Sequence, residues 1–278
     1  MSRYPLLPAL AGALIALLVL PGPVSAAVPV TGTITSDTTW TALPDPIVHV
    51  TGQVTVAPGV KLTIEPGVTV KFERLVGLDV QGELEAIGGP AVASTIWFTS
   101  IRDDNLPAPG GDDTNGDGNA TIPANGDWDP IRFLPGSSSA SVMEYCEVWF
   151  SGYYQKGAVV CDGASPTLEN CRINAAYYGV QCIAAAAPTL TDTDVSACTS
   201  VPVAISIDSN PVFDAVTFAS TSDNGFDAIG ILGTTLASGV NVIPIRGTTL
   251  AGVPIDNLTY MLLADVTIAS GATLTITP

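Results

Sequence analysis

The sequence predicts an all-β fold, a right-handed single-stranded parallel β-helix, and three observations predict it. Gapless repeats recur every 22 to 25 residues with no helical pattern inside them. Short alternating strands are separated by Pro-Gly turns. Strong helix formers are scarce among the abundant Val, Thr, Ile and Gly.

The repeat is clearest in Ser165-Pro166-Thr167-Leu168-Glu169-Asn170-Cys171-Arg172-Ile173. Ala187-Pro188-Thr189-Leu190-Thr191-Asp192-Thr193-Asp194-Val195 and Asn210-Pro211-Val212-Phe213-Asp214-Ala215-Val216-Thr217-Phe218 follow it. Ala140 to Val148 is a looser, earlier copy. Such a period is one coil of a solenoid, with each turn stacked about 4.8 Å from the next. The columns follow directly. Met143, Leu168, Leu190 and Phe213 form one inward column; Cys146, Cys171, Thr193 and Val216 a second; Val148, Ile173, Val195 and Phe218 a third. Glu147, Arg172, Asp194 and Thr217 then face outward, and the charge alternates over the first three. A second strand per coil reads as Ala158-Val159-Val160, Val180-Gln181-Cys182 and Val203-Ala204-Ile205.

Upstream, Val54 to Val56, Lys61 to Ile64 and Val68 to Phe72 alternate as short strands, with turns at Pro58-Gly59 and Pro66-Gly67. Leu78 to Val80, Glu83 to Ala86 and Thr95 to Thr99 continue the series. Spacings this short leave no room for helical crossovers and fit coil corners.

The first residues stand apart. Arg3 is a short positive region, Leu6 to Leu20 an apolar one, and Val24-Ser25-Ala26 a small-residue cleavage site. Residues 1–26 therefore read as a signal peptide. The apolar run is short for a span and no basic stop-transfer cluster follows it. No transmembrane segment is expected after cleavage, and the protein is expected to be secreted or at the cell surface. Residues 27–46 are expected as a lead-in or cap and 47–250 as the β-helix, with a polar insertion at 101–127. Val54 to Pro66 recurs without a gap as Val266 to Pro278. Residues 251–278 are therefore expected to begin a second repeat module, continuing into further domains of a longer chain.

With 9 basic and 26 acidic residues the formal net charge is −17. Nucleic acid and anionic membrane surfaces are excluded as partners for want of basic phosphate contacts. The charge suits extracellular solubility and divalent cations.

The run Gly52-Gln53-Val54-Thr55-Val56-Ala57-Pro58-Gly59-Val60-Lys61-Leu62-Thr63-Ile64-Glu65-Pro66-Gly67-Val68-Thr69-Val70-Lys71-Phe72 resembles the opening coils of bacterial secreted or cell-surface right-handed parallel β-helix proteins, the broad pectin-lyase-like class. Gly82 to Gly88, Trp97 to Ser100 and Asp127 to Phe133 resemble its following coils, although Pro130 stands where glycine is usual. The resemblance covers about 47 to 230 and implies fold and export, whereas activity varies widely on this fold. It leaves two functions open. One is a structural or adhesive module that contacts polysaccharide or another surface protein through its lateral faces. The alternative is a carbohydrate-active enzyme, a polysaccharide lyase or glycoside hydrolase.

Candidate sites are few. Asp113, Asn115 and Asp117 occupy positions one, three and five of a calcium loop, with Gly118 at the bend and the Asn119 carbonyl next. Ala124 replaces the bidentate glutamate, so Asp127 or Asp129 would have to fold back to complete a Ca²⁺ site. A solvated acidic loop explains the same residues. Lyases of the class use a Ca²⁺-bound carboxylate cluster with a nearby Arg or Lys, and hydrolases use paired carboxylates. The catalytic candidates are Glu144, Glu169 and Asp214 in one outward column, with Arg172 nearby in sequence; a solvated ladder fits them equally. Trp149, Tyr153, Tyr154, Tyr177 and Tyr178 form an aromatic group that reads either as a ligand patch or as a satellite core. Cys146 and Cys171 stack on adjacent coils, within reach of a disulfide or as buried thiols. Cys161 and Cys182 align one position out of register, and Cys198 falls in a turn. His49, the only histidine, sits in an alternating strand and reads as structural.

Overall fold

Each coil contributes up to three short strands, and the coils stack into three faces. The computed structural model describes residues 27–43, 46–106, 113–218, 223–244, 246–250, 253–255 and 258–276. The expected signal peptide, 1–26, lies outside them, as do residues 107–112 of the insertion. Two faces belong to one 17-stranded sheet and the third is a seven-stranded sheet. Pairing between coils is parallel throughout both, apart from one antiparallel hairpin, Thr248–Leu250 with Val253–Ile255.

Face one runs through Thr69–Phe72, Ile96–Ser100, Cys146–Trp149, Arg172–Asn174 and Asp194–Ser196. Face two runs through Leu78–Val80, Ile131–Phe133, Gly157–Asp162, Tyr178–Ile183, Val203–Ile205 and Ile229–Ile231. Face three runs from Thr38–Trp40 to Val212–Asp214.

The expected columns stack in the expected register. Met143 pairs with Leu168, Leu168 with Leu190, and Leu190 with Phe213. Val148, Ile173, Val195 and Phe218 follow one another on face one and are fully buried. Alternation sends every second side chain of a strand inward, so a closed coil fills its own core. Burying each such leucine or isoleucine contributes about 1.5–3 kcal/mol.

Corners are made by single residues in the left-handed region. Tyr145, Asn170, Asp192 and Ala215 have φ between 44° and 52° and stand at one corner on four successive coils. One such residue turns the chain sharply enough to pass from face three to face one. Asn and Asp adopt this conformation more readily than other non-glycine residues. Gly82 meets a different demand. A β-carbon there would lie 2.1 Å from the Val60 carbonyl oxygen, so only glycine lets the coils close.

Residues 27–43 are a coil in their own right. Val28–Ile34 and Thr38–Trp40 pair with the strands of the next coil. At the other end Tyr260–Leu262, Val266–Ile268 and Ala272–Ile276 stack in parallel on Ile229–Ile231, Thr234–Leu236 and Gly239–Ile243. The second copy of the internal repeat thus extends the same stack.

The insertion leaves between Ser100 and Ile131 and covers the outer side of face one. Lys71 and Thr99 point outward by strand alternation yet are fully buried. Thr99 Oγ1 donates to Asp103 Oδ2 at 2.7 Å. Trp128 anchors the return. It stacks on Phe72 with centroids 4.0 Å apart and donates Nε1 to the Trp149 carbonyl at 2.8 Å.

Candidate functional site

The outward column of face one carries the densest side-chain chemistry. Thr69, Trp97, Glu147, Arg172 and Asp194 are successive register partners. Glu147 is only 8% exposed although it points away from the core. Its carboxylate accepts from Trp149 Nε1 at 2.8 Å and from Arg172 Nη1 at 3.3 Å. Burial raises its pKa above the ordinary glutamate value; Arg172 and Trp149 oppose that shift, and Asp194 adds to it. Trp149 stands edge-on to Trp97, with centroids 5.4 Å apart. Trp97 is 4% exposed, and its Nε1 is buried without a hydrogen-bond partner among the described residues.

A groove of about 310 Å³ opens beside this column, bordered by Val92, Trp97, Tyr145, Glu147, Asn170 and Arg172. Tyr145 and Asn170 reach it because they are the left-handed corner residues of adjacent coils. The arrangement offers aromatic surface, a charged donor, a side-chain amide and a carboxylate within one opening. Those groups suit a polar, hydroxyl-rich ligand or a protein loop. Alternation indicated that Glu147 and Arg172 face outward. Trp97 was missed as a site residue because its strand reads as ordinary core.

The catalytic candidates do not converge. Glu144 and Glu169 are direct register partners on face three, followed by Thr191 and Asp214. Arg172 lies on face one and pairs with Glu147. The corner at Asn170 separates it from the Glu144–Glu169 column.

The six residues expected to hold Ca²⁺ also separate. Asp113 and Asp117 come together with Asp104, and carboxylate oxygens of the three lie within 4.8 Å of one another. Both Asp104 oxygens are buried and lack hydrogen-bond partners among the described residues. Burial raises the Asp104 pKa; Lys71 opposes the shift, and Asp113, Asp117 and Asp103 reinforce it. Thr121 holds the Asp117 pKa down by donating Oγ1 to Oδ2 at 2.6 Å. Asn115 Oδ1 accepts from the Asp117 amide, and Asn119 Oδ1 from Asn105. Asp127 accepts from Ser100 at 2.7 Å and pairs with Arg74 and Arg102, whereas Asp129 pairs with Lys156. Neither folds back on the loop. Asp104 could not be read from the loop motif because it joins from nine residues upstream of Asp113.

The aromatic group splits as well. Tyr153 and Tyr154 contact each other edge-on, and Tyr154 is 78% exposed. Tyr178 is buried with Val201 and Ala204 in a satellite core, and Tyr177 packs against it. His49 Nε2 lies 3.0 Å from Glu73 Oε1 on the strand surface.

All five cysteines are free and buried. Cys146 and Cys171 stack in their column as expected. Cys161 lies directly opposite Cys182, in register rather than one position out. The segment between Trp149 and Gly157 is longer than that between Asn174 and Tyr178. The extra residues loop out and displace the sequence alignment without moving the strands.

Residues 133–242 match the family model of the right handed beta helix region. No curated protein and no solved structure matches the chain.

Proposed function

We propose that this right-handed parallel β-helix is an exported module, secreted or held at the cell surface, that acts as a rigid structural or adhesive element. It contacts a glycan or another surface protein through the groove on face one. The observation that carries this reading is the groove itself. Tyr145, Asn170 and Arg172 border it on a rigid stack, and Glu147 is fixed at its base by Trp149 and Arg172. The test is titration with neutral and acidic oligosaccharides, followed by tryptophan fluorescence, since Trp97 and Trp149 adjoin the opening. Saturable binding that is lost in Arg172→Ala and Tyr145→Asn supports the reading. Asparagine keeps the left-handed corner, so the second variant removes only the phenol. A signal unchanged in both variants, or no signal across the panel, would overturn the glycan form of the proposal.

The same reading assigns Ca²⁺ to Asp104, Asp113 and Asp117, where it would stiffen the insertion over face one. The unpartnered Asp104 oxygens support it. Calorimetric titration should give saturable heat in the wild type and none in Asp117→Ala. Absence of heat and of any rise in melting temperature would remove the cation.

An enzyme of the carbohydrate-active kind is the second reading, favoured by the buried cation of Lys71, whose charge opposes the upward shift of Asp104. Lys71 lies beneath the insertion, whereas Asp113 and Asp117 are exposed on it. Turnover of a polysaccharide with Ca²⁺ present, abolished in Lys71→Met, would favour this reading over a binding module.

A further inference from the structure

Four of the five cysteines occupy one step of the stack. The coil that carries Cys146–Trp149 and Gly157–Asp162 contains two, and the next, with Arg172–Asn174 and Tyr178–Ile183, contains the other two. Cys161 and Cys182 are register partners on face two. Cys146 and Cys171 immediately precede the paired Glu147 and Arg172 on face one. All four side chains point into the core, and the columns continue with Phe133 and Ile205 on face two. A cysteine acting only as a small apolar filler has no reason to recur on the same adjacent coil in two different columns.

We infer that Cys161–Cys182 and Cys146–Cys171 are disulfide-forming pairs that staple this one coil step on two faces. Neighbouring parallel strands hold partner Cα atoms about 4.8 Å apart, inside the range a disulfide spans. Cys146 and Cys171 each turn their thiol onto core carbonyls, of Ala86 and Met143 respectively, so both sulfurs lie inside the stack. The oxidant is a low-molecular-weight disulfide. One cysteine thiolate attacks it, forms a mixed disulfide and expels one small thiol. The partner thiolate then attacks the protein sulfur and expels the second. Two protein thiols and one small disulfide thus become one protein disulfide and two small thiols, which take up both protons. Burial pushes the Cys146 thiol up, the neighbouring Cys182 and burial push the Cys161 thiol up, and burial pushes Cys198 up to about 12. Exchange therefore belongs to the folding chain, before the coil closes.

The test is to refold the denatured, reduced chain in a glutathione and glutathione-disulfide buffer and map its peptides without reduction. Peptides joining Cys161 to Cys182 and Cys146 to Cys171 are expected, with Cys198 the single alkylatable thiol in denaturant. Reduction should lower the melting temperature by roughly 6–12 °C per staple. Cys182→Ala should leave Cys161 alkylatable and keep the other link. Five alkylatable thiols after oxidative refolding, or links such as Cys161 to Cys171, would overturn the inference. The wild-type peptide map decides even if the variant fails to fold.

Discussion

Replacing Arg172 by methionine should destabilise the protein in a pH-dependent way. Methionine keeps most of the apolar stem and removes the guanidinium that lies 3.3 Å from Glu147. Trp149 Nε1 is then the remaining donor among the described contacts of a buried carboxylate. Exposed ion pairs contribute up to about 1 kcal/mol, and breaking a fully buried one costs about 3–5 kcal/mol. Arg172 is 47% exposed while Glu147 is buried, so the expected loss lies between, at about 1–2 kcal/mol near neutral pH. The sign with pH follows from Glu147. Its folded-state pKa is raised by burial, so its stabilising contribution is complete below the unfolded glutamate value and falls as pH rises through the folded one. Removing Arg172 takes away an influence that favours the charged form and raises the folded pKa further. The difference between variant and wild type should therefore be larger near pH 8 and shrink toward about pH 3, below the ordinary glutamate value, where Glu147 is protonated in both proteins. Urea unfolding at both pH values measures it, and Glu147→Gln in the Arg172→Met background should recover most of the loss. Equal destabilisation at both pH values, or none at either, would refute the assigned pairing.

Leu190 is fully buried between its register partners Leu168 and Phe213, so Leu190→Ala should cost about 3–5 kcal/mol in denaturant unfolding. Ala215 holds φ at 52° on an exposed corner. Ala215→Gly should stabilise by about 0.5–1 kcal/mol despite the greater freedom of the unfolded glycine, which thermal unfolding would register. Asn125 Nδ2 donates to the Ala176 and Ala197 carbonyls and to Thr199 Oγ1. Asn125→Ala should cost about 1–2 kcal/mol and speed amide hydrogen exchange in the returning limb of the insertion before the coils respond.

The repeat fixed the strand columns in the sequence because alternation and period leave one arrangement that buries Leu168, Leu190 and Phe213 together. Corners were harder to read. Tyr145, Asn170, Asp192 and Ala215 share a backbone conformation without sharing a residue type, so no composition signal marks them. Long-range contacts were also hidden. Asp104 reaches the Asp113–Asp117 loop from outside its motif. Cys161 meets Cys182 because a longer corner loops out of one coil. Arg172 was drawn toward Glu169 by sequence proximity, yet the corner at Asn170 sends it to another face and to Glu147. Inside the strands, position along the chain fixes position in space; at corners and in the insertion it does not.

Spin-label distances along face three test the stack most directly. Thr39, Thr63, Glu85, Val142, Thr167, Thr189 and Val212 form one continuous register column. Labels replacing Thr63 and Thr189 should lie about 19 Å apart, and labels replacing Thr39 and Val212 about 29 Å apart, at one strand spacing per coil. Distances that fail to grow by that increment, or that scatter broadly, would contradict a parallel stack in this register.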